Sequence, residues 1–588
     1  IHPAAPDLIY IRTDVGGAYR WDPDGRRWIQ LMNGFGYEER NFFGVDGIAV
    51  DPNDDQVVYL AAGLNPDLAP HDVLKSADRG RTWTRTNLNK RFWANGNAGR
   101  AYGEPIAVAP GDSRLVLVGT RFDGIWRSTD GAATWTKAAG VPDDANGLGV
   151  RSIVFKDGTT AYAGAVGYGV YVTTDGGASW SLLPGSPAFP NRLQLSADGG
   201  ALYVTHAGGI AKYANGSWTD VTPPASLHLN KKRDSFNYGA VATDPGDPDH
   251  VLAARLTDIT IEDIFRSTDG GATWTNVNAS YKVKYSSPWW PPGYFAGAVA
   301  ALAMDPHSPG AVWMADWFGV YRTGDIAAAT IQWETLTHGH EEVVVMDIET
   351  PPNGALLLGA YADNDGMRHD DLTRFPSQIF GNPRLHETTD IDYSEADPNR
   401  VVRVGGYHHG ISGSGAYSTD GGRTWTEFAD YPRNRRNLKY PNGKVAVSAV
   451  DPNLIVVLPI GSPPYRSTDS GATWTETSGA PIVFNSFWNW SRPLAADRMN
   501  GSTFYLYHSG NFYRSTDGGA NWTVVNSGLP SAAKAYLWAV PGSEGELWLS
   551  LDGSGLFHSV DGGVTFSQIP KVEHALMVGL GKIGRAHV

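Results

Sequence analysis

Carboxylates are the side chains of this sequence best suited to chemistry. It holds 61 Asp and Glu residues, 16 His and no Cys, which excludes a thiol nucleophile, a thiolate metal site and a disulfide framework. Eight aspartates (Asp78, Asp130, Asp175, Asp269, Asp420, Asp469, Asp517 and Asp561) recur in one pattern, Ser or Thr two residues before and an aromatic ring five residues after. They are too regular to be a catalytic set and read as turn residues. Two others break the pattern. Asp14 lies in Thr13-Asp14-Val15-Gly16-Gly17, and Asp497 is followed by Arg498 where Asp51, Asp244, Asp305 and Asp451 are each followed by Pro. Asp363, in Ala362-Asp363-Asn364-Asp365-Gly366, echoes the Asp14 turn and is read first as a turn residue, with a catalytic role only in reserve. Two carboxyl groups held in different environments make a general acid and a general base.

His338-Gly339-His340-Glu341-Glu342 leads into a strand-like run and lacks an established ligand spacing, so no metal and no cofactor is expected. Aromatic clusters outside the repeat are more informative: Pro288-Trp289-Trp290 with Tyr294, Trp317-Phe318, Tyr407 beside His408 and His409, and Phe487-Trp488-Asn489-Trp490. Their positions, where loops leave strands, suit flat rings that receive a ligand.

The repeat predicts the elements that carry these residues. Successive box aspartates are 52, 45, 94, 151, 49, 48 and 44 residues apart, so the two long gaps hold degenerate copies. Tyr213 to Trp218, Tyr321 to Trp333 and Arg368 to Leu372 fill them, and Trp21 to Trp28 precedes the first full box. In each box Asp and Ser accept backbone N–H bonds, Gly takes the positive-φ position and Trp packs under the hairpin. Alternating strands such as Ile48-Ala49-Val50 precede the boxes, and Gly 70 with Pro 37 supplies the turns. The chain is therefore expected to be all-β, with about twelve four-stranded blades. That number exceeds one β-propeller, so two tandem propellers are expected: residues 1–340 with the first strand missing, and 341–582 incomplete, with a ragged last blade near Lys582. The last six residues, Ile583 to Val588, are read as translated sequencing adapter and left out of the fold reasoning.

The formal charge of -14 disfavours nucleic acid and phospholipid headgroups as main partners. No apolar stretch is long enough to span a bilayer.

Three segments resemble glycoside hydrolase family 74, the xyloglucan-cleaving enzymes with two seven-bladed propellers. Asp7-Leu8-Ile9-Tyr10 with Arg12-Thr13-Asp14-Val15-Gly16-Gly17-Ala18-Tyr19-Arg20-Trp21 is similar to its opening signature. Glu341-Glu342 through Pro351-Pro352-Asn353-Gly354 to Asp363 is similar to the entrance of its second propeller, and Ala495-Ala496-Asp497-Arg498-Met499-Asn500 to its Ala-Asp-Arg-Val-Asn segment. The resemblance implies an inverting β-1,4-glucanase acting on xyloglucan or a related β-glucan in a cleft between the rings. It further implies Asp14 as general base and Asp497 as general acid, with Trp289, Trp290, Trp317, Tyr407, Trp488 and Trp490 as expected sugar contacts. Thr257-Asp258-Ile259-Thr260 departs from the Trp-Trp that the family often carries there. A polysaccharide substrate implies a secreted protein, expected to be a monomer. Two other Asp-box proteins are the alternatives. A sialidase would need an arginine cluster and an Arg-Ile-Pro segment, which the sequence lacks. A non-catalytic sorting-receptor or assembly-factor propeller would need no carboxylate pair.

Overall fold

The computed structural model describes residues 1–95, 102–229, 237–256, 263–286, 290, 294–340, 343–374, 376–406, 413–432, 443–483 and 490–580. Among them are twelve antiparallel sheets, one with an added parallel strand, and three short 3-10 turns. No helix among the described residues is long and apolar enough to cross a membrane. The chain divides into two compact units, Ile1–Glu342 and Val343–Val588.

The first unit holds seven sheets. A complete one, such as the fourth, runs through Val150–Phe155, Ala161–Ala165, Gly169–Thr173 and Ser181–Leu182, each strand paired with the next. The turn between the last two strands is the Asp box, and its geometry repeats in all eight. At Asp78, Oδ1 accepts the Ser76 hydroxyl (2.7 Å) and the Thr82 N–H (2.8 Å), while Oδ2 accepts the Thr82 hydroxyl (2.6 Å). The Ser76 hydroxyl in turn accepts the Gly80 N–H at 2.8 Å. These donors, led by Thr82, pull the Asp78 carboxyl down to about 2, and the hydroxyl and amide of Thr473 do the same to Asp469.

Neither face of such a sheet can be buried within the sheet itself. Core clusters fill the six successive gaps, beginning with Ala18 and Leu31 against Leu60 and Leu74, and a seventh joins Trp21 and Trp28 of the first sheet to Trp313 and Val320 of the seventh. Box tryptophans bond across these gaps. The indole N–H of Trp83 donates to Leu31 O (2.9 Å) and that of Trp274 to Val221 O (2.8 Å), each at the end of the preceding sheet. Trp28 repeats the bond onto Leu336 O (2.6 Å) beyond the seventh sheet, and its backbone N–H reaches His338 O. The His-Gly-His segment belongs to this seam. Gly339 has φ +86, with a Cβ position 2.1 Å from Trp28 O, and burial against Tyr19 lowers His340 to about 4.

The second unit has five sheets with first strands Val345–Glu349, Thr388–Tyr393, Gly443–Val447, Leu494–Ala496 and Tyr536–Ala539. A first strand is a sheet edge, and its free N–H groups need partners. Carboxylates of the neighbouring sheet supply them: Asp347 accepts from Ile391, Asp390 from Val445 and Asp392 from Val447. Arg492 stands among these acids, 2.7 Å from Glu349 and 3.5 Å from Asp347, and Arg498 lies 2.7 Å from Asp392. The cluster has more carboxylates (Asp347, Glu349, Asp390, Asp392, Glu395) than cations (Arg492, Arg498, Lys444). Burial favours the protonated form of the surplus acids, and it holds Asp390 well above the usual carboxylate range against the pull of Arg492 and Lys444. Burial pushes Glu349 up to about 8 against the pull of Arg492, and Glu395 up to about 7 against that of Arg498.

These shifts act on stability with opposite sign. Box aspartates, lowered in the fold, stabilise it above their unfolded value, and that contribution is lost as pH falls toward about 2. Glu349 and Glu395, raised in the fold, stabilise it below their unfolded value, and that contribution is lost as pH rises toward about 8 and 7. The melting temperature is therefore expected to peak at about pH 4 to 5. Glu349→Gln should flatten the decline on the alkaline side, and Asp469→Ala should lower the melting temperature by an amount that shrinks on acidification. Thermal melts across pH check both.

Candidate functional site

Strands alternate direction, so successive turns of a sheet fall at opposite ends. The box turn and the turn between first and second strands share one end, and the hairpin between second and third strands lies at the other. Asp14 lies between Tyr10–Arg12 and Ala18–Asp22, directly before the box-like turn to Trp28, at the end away from the boxes. Asp363 lies between the second and third strands of its sheet, Leu357–Tyr361 and Gly366–His369, the equivalent place in the second unit. Asp497 follows a first strand, Leu494–Ala496, and so lies at the box end.

The Asp14 turn is tightly specified. Thr13 N–H donates to Gly17 O (2.8 Å), Gly16 N–H to the Thr13 hydroxyl (2.8 Å) and the Gln30 amide to Gly16 O (2.8 Å). Gly17 has φ +93, and a Cβ there would stand 2.5 Å from Met32. Asp14 is half-buried beside Arg12, whose guanidinium is anchored on Glu104 at 2.9 Å. Burial opposes the Arg12 charge, but Glu104, Asp46 and Asp14 outweigh it and keep the group protonated.

Asp363 is half-buried, at φ 63. Its hairpin is braced by the fully buried Asp365, which accepts from the Leu385 N–H (2.8 Å), the Thr388 hydroxyl (2.7 Å) and the Arg403 guanidinium. Arg403 lies over Trp425, 4.6 Å from the ring centre. Trp490 packs against Ala362 and Met346, its indole N–H donating to Val345 O at 2.9 Å. Trp490 and the Asp363 turn, 127 residues apart in sequence, thus meet.

Asp497 has a different environment. It is 1% exposed, and its carboxylate accepts four bonds: Met499 N–H (2.9 Å) and Asn500 N–H (2.8 Å) on Oδ1, the Tyr505 hydroxyl (2.8 Å) and Gly545 N–H (2.9 Å) on Oδ2. Asp51 and Asp451 make the same local bond to the N–H two residues on. Arg498, which sets Asp497 apart in sequence, bonds Asp392 in the buried charge cluster. A carboxyl that passes its proton to a leaving group needs an oxygen within reach of a ligand, and both Asp497 oxygens are committed to the fold.

The aromatic candidates divide as well. Trp317 is 48% exposed in the hairpin between the second and third strands of the seventh sheet, at the end where Asp14 lies. Trp290 is buried, its indole N–H donating to Tyr294 O at 3.0 Å, so its ring serves loop packing and not an open platform. Trp289, Tyr407 and Trp488 lie outside the described residues.

Sequence reasoning missed Asp316. Its carboxyl accepts the Phe318 and Gly319 N–H groups (2.8 Å each) and that of Gly297 (3.2 Å), and burial pushes it up to about 7. It ties the Trp317 hairpin to the loop of Tyr294, whose ring stacks on Phe318 at 4.0 Å. The signal was present: Asp316-Trp317-Phe318-Gly319-Val320-Tyr321-Arg322 repeats the Asp, Gly, Tyr and Arg spacing of Asp14 to Arg20.

The family model of the BNR/Asp-box repeat matches residues 416–427. A xyloglucanase of a Paenibacillus species is 33% identical over 98% of this chain, which spans 62% of that relative's length. A xyloglucanase of Acetivibrio thermocellus is 32% identical over 98% of the chain and 74% of its own length. Among solved structures, a GH74 xyloglucanase of Xanthomonas campestris is similar at a TM-score of 0.82 and 31% identity, covering 98% of this chain and 86% of that one.

Removing Asp365 would leave the buried Arg403 without its counter-charge. Asp365→Ala is expected to cost about 3–5 kcal/mol of stability, checked by denaturant unfolding.

Proposed function

Because the chain belongs to glycoside hydrolase family 74, we propose that it cleaves the β-1,4-glucan backbone of xyloglucan with inversion. The observation that carries this reading is the pair of equivalent turns, Asp14 in the first unit and Asp363 in the second, each held at the end of its sheet away from the boxes. Xyloglucanase relatives that match along 98% of the chain support the substrate.

In this mechanism the Asp14 carboxylate, beside Arg12, takes a proton from water as the water oxygen bonds to the anomeric carbon. A protonated carboxyl gives its proton to the glycosidic oxygen as the bond from that oxygen to the anomeric carbon breaks. We assign this acid to Asp363 in place of Asp497, because four donors occupy the Asp497 oxygens while Asp363 sits in the turn against which Trp490 packs. Trp317 and Trp490 are the proposed sugar contacts among the described candidates.

We read the first unit as a seven-bladed propeller, supported by the cluster that joins its seventh sheet to its first, and the five sheets of the second as part of another. The division after Glu342 supports a domain boundary near 340. A polysaccharide substrate implies action outside the cell.

Reducing-end release from tamarind xyloglucan tests the assignment. Asp14→Asn and Asp363→Asn should each lower turnover by at least about a hundredfold with little change in melting temperature. Asp497→Asn should lower the melting temperature and retain turnover. Full activity in Asp14→Asn would overturn the base, and loss of activity in a folded Asp497→Asn together with an active Asp363→Asn would return the acid to Asp497.

A further inference from the structure

A cavity of about 400 Å³ opens in the first unit between its fourth and fifth sheets. It is lined by the connection Gly185 to Phe189, the hairpin from His206 to Gly208 and the strand residues Trp218 to Asp220. That hairpin joins the second and third strands of the fifth sheet, Ala201–His206 and Gly209–Ala214, so the cavity opens at the same end of the unit as the Asp14 turn but on different sheets. No part of the proposed catalytic chemistry uses it.

Its lining selects the ligand. Phe189 is 53% exposed, an unusual position for a phenyl ring, and Trp218 adds a second aromatic side chain. His206 Nδ1 accepts the Gly208 N–H at 3.1 Å, so Nε2 carries the proton and is a donor, and burial favours the neutral ring. Asp220 Oδ1 accepts the Thr222 N–H (2.9 Å) and hydroxyl (2.6 Å), which leaves Oδ2 as an acceptor. The lining includes no Lys or Arg, so a phosphate or carboxylate ligand would meet Asp220 without a counter-charge. A wholly apolar ligand would strip water from both His206 and Asp220 without replacing it. A pyranose ring satisfies all three features, with a C–H face for the aromatic rings and adjacent hydroxyls for one donor and one acceptor.

We propose that this cavity is a second, non-catalytic glycan site that takes one sugar residue of a neutral polysaccharide. The proposal rests on the reading of the chain as a polysaccharide hydrolase. Its effect would be avidity: a polymer long enough to reach both places is held at two points, whereas a short oligosaccharide engages the catalytic site alone.

Native affinity electrophoresis of the full chain in gels containing xyloglucan, glucomannan or laminarin tests it, beside Phe189→Ala and Asp220→Asn, with hydrolysis of xyloglucan and of a short xyloglucan oligosaccharide measured on the same preparations. The expected result is that both variants keep the parent melting temperature and oligosaccharide turnover but bind polymer roughly three- to tenfold more weakly. If the parent hydrolyses xyloglucan and the variants are retarded as strongly as the parent, the second site is overturned and the hydrolase reading stands. If the parent hydrolyses nothing but shows retardation that depends on Phe189, the glycan site stands and the hydrolase reading falls. A parent retarded by none of the polymers overturns the site whatever its activity.

Discussion

The indole N–H of Trp28 donates to Leu336 O across 308 residues of sequence. It does at that seam what Trp83 and Trp274 do between consecutive sheets. A twisted four-stranded sheet has two faces to cover and no means of covering either alone. In the first unit every sheet must therefore meet a neighbour on both sides, and the first and seventh must meet each other. The Trp21, Trp28 and Trp313 rings, with centroids 5.1 to 6.2 Å apart, and the close approach of Gly339 to Trp28 are the consequences of that demand. His338, Gly339 and His340 pack at that seam.

Packing by stacked sheets also separates two kinds of turn. The boxes gather at one end, where a short link is closed by side chains that bond almost wholly within the turn. The opposite end carries hairpins of variable length. In the first unit Asp14 and Asp316 with Trp317 lie at that end of their sheets, and in the second unit Asp363 lies at that end of its own. An aspartate at the box end is consumed by backbone donors, as Asp78 and Asp497 are. At the other end the buried Asp316 is held by backbone donors as well.

Much of this was legible from spacing. The box pitch announces hairpins with a strand on either side, and the all-β class follows from it. The opening signature around Asp14 points to the glycoside hydrolase family. What spacing does not express is which end of a sheet a turn occupies. Asp497 stands out in sequence because Arg498 replaces the usual Pro, yet that arginine is recruited by Asp392 in the buried cluster and not by any site. Asp363 looks like one more turn until the strand order places it opposite the boxes. Side-chain exposure is equally hidden: Trp290 and Trp317 are both loop aromatics in sequence, and only packing makes one a filler and the other a surface.

The second unit shows how far edge satisfaction can be carried. Its first strands meet their neighbours through carboxylates, and Asp347, Asp390 and Asp392 each accept a backbone N–H from the next sheet. Burying so many acids is costly unless cations or protons offset them. Arg492 and Arg498 are shared among several carboxylates each, and burial raises Glu349, Glu395 and Asp390 toward their protonated forms. The same residues that hold the sheets in register thus make that register sensitive to pH. The box staples, exposed and ionised, carry the opposite dependence. Each unit's tolerance of acid or alkali follows from which of the two devices its strands rely on.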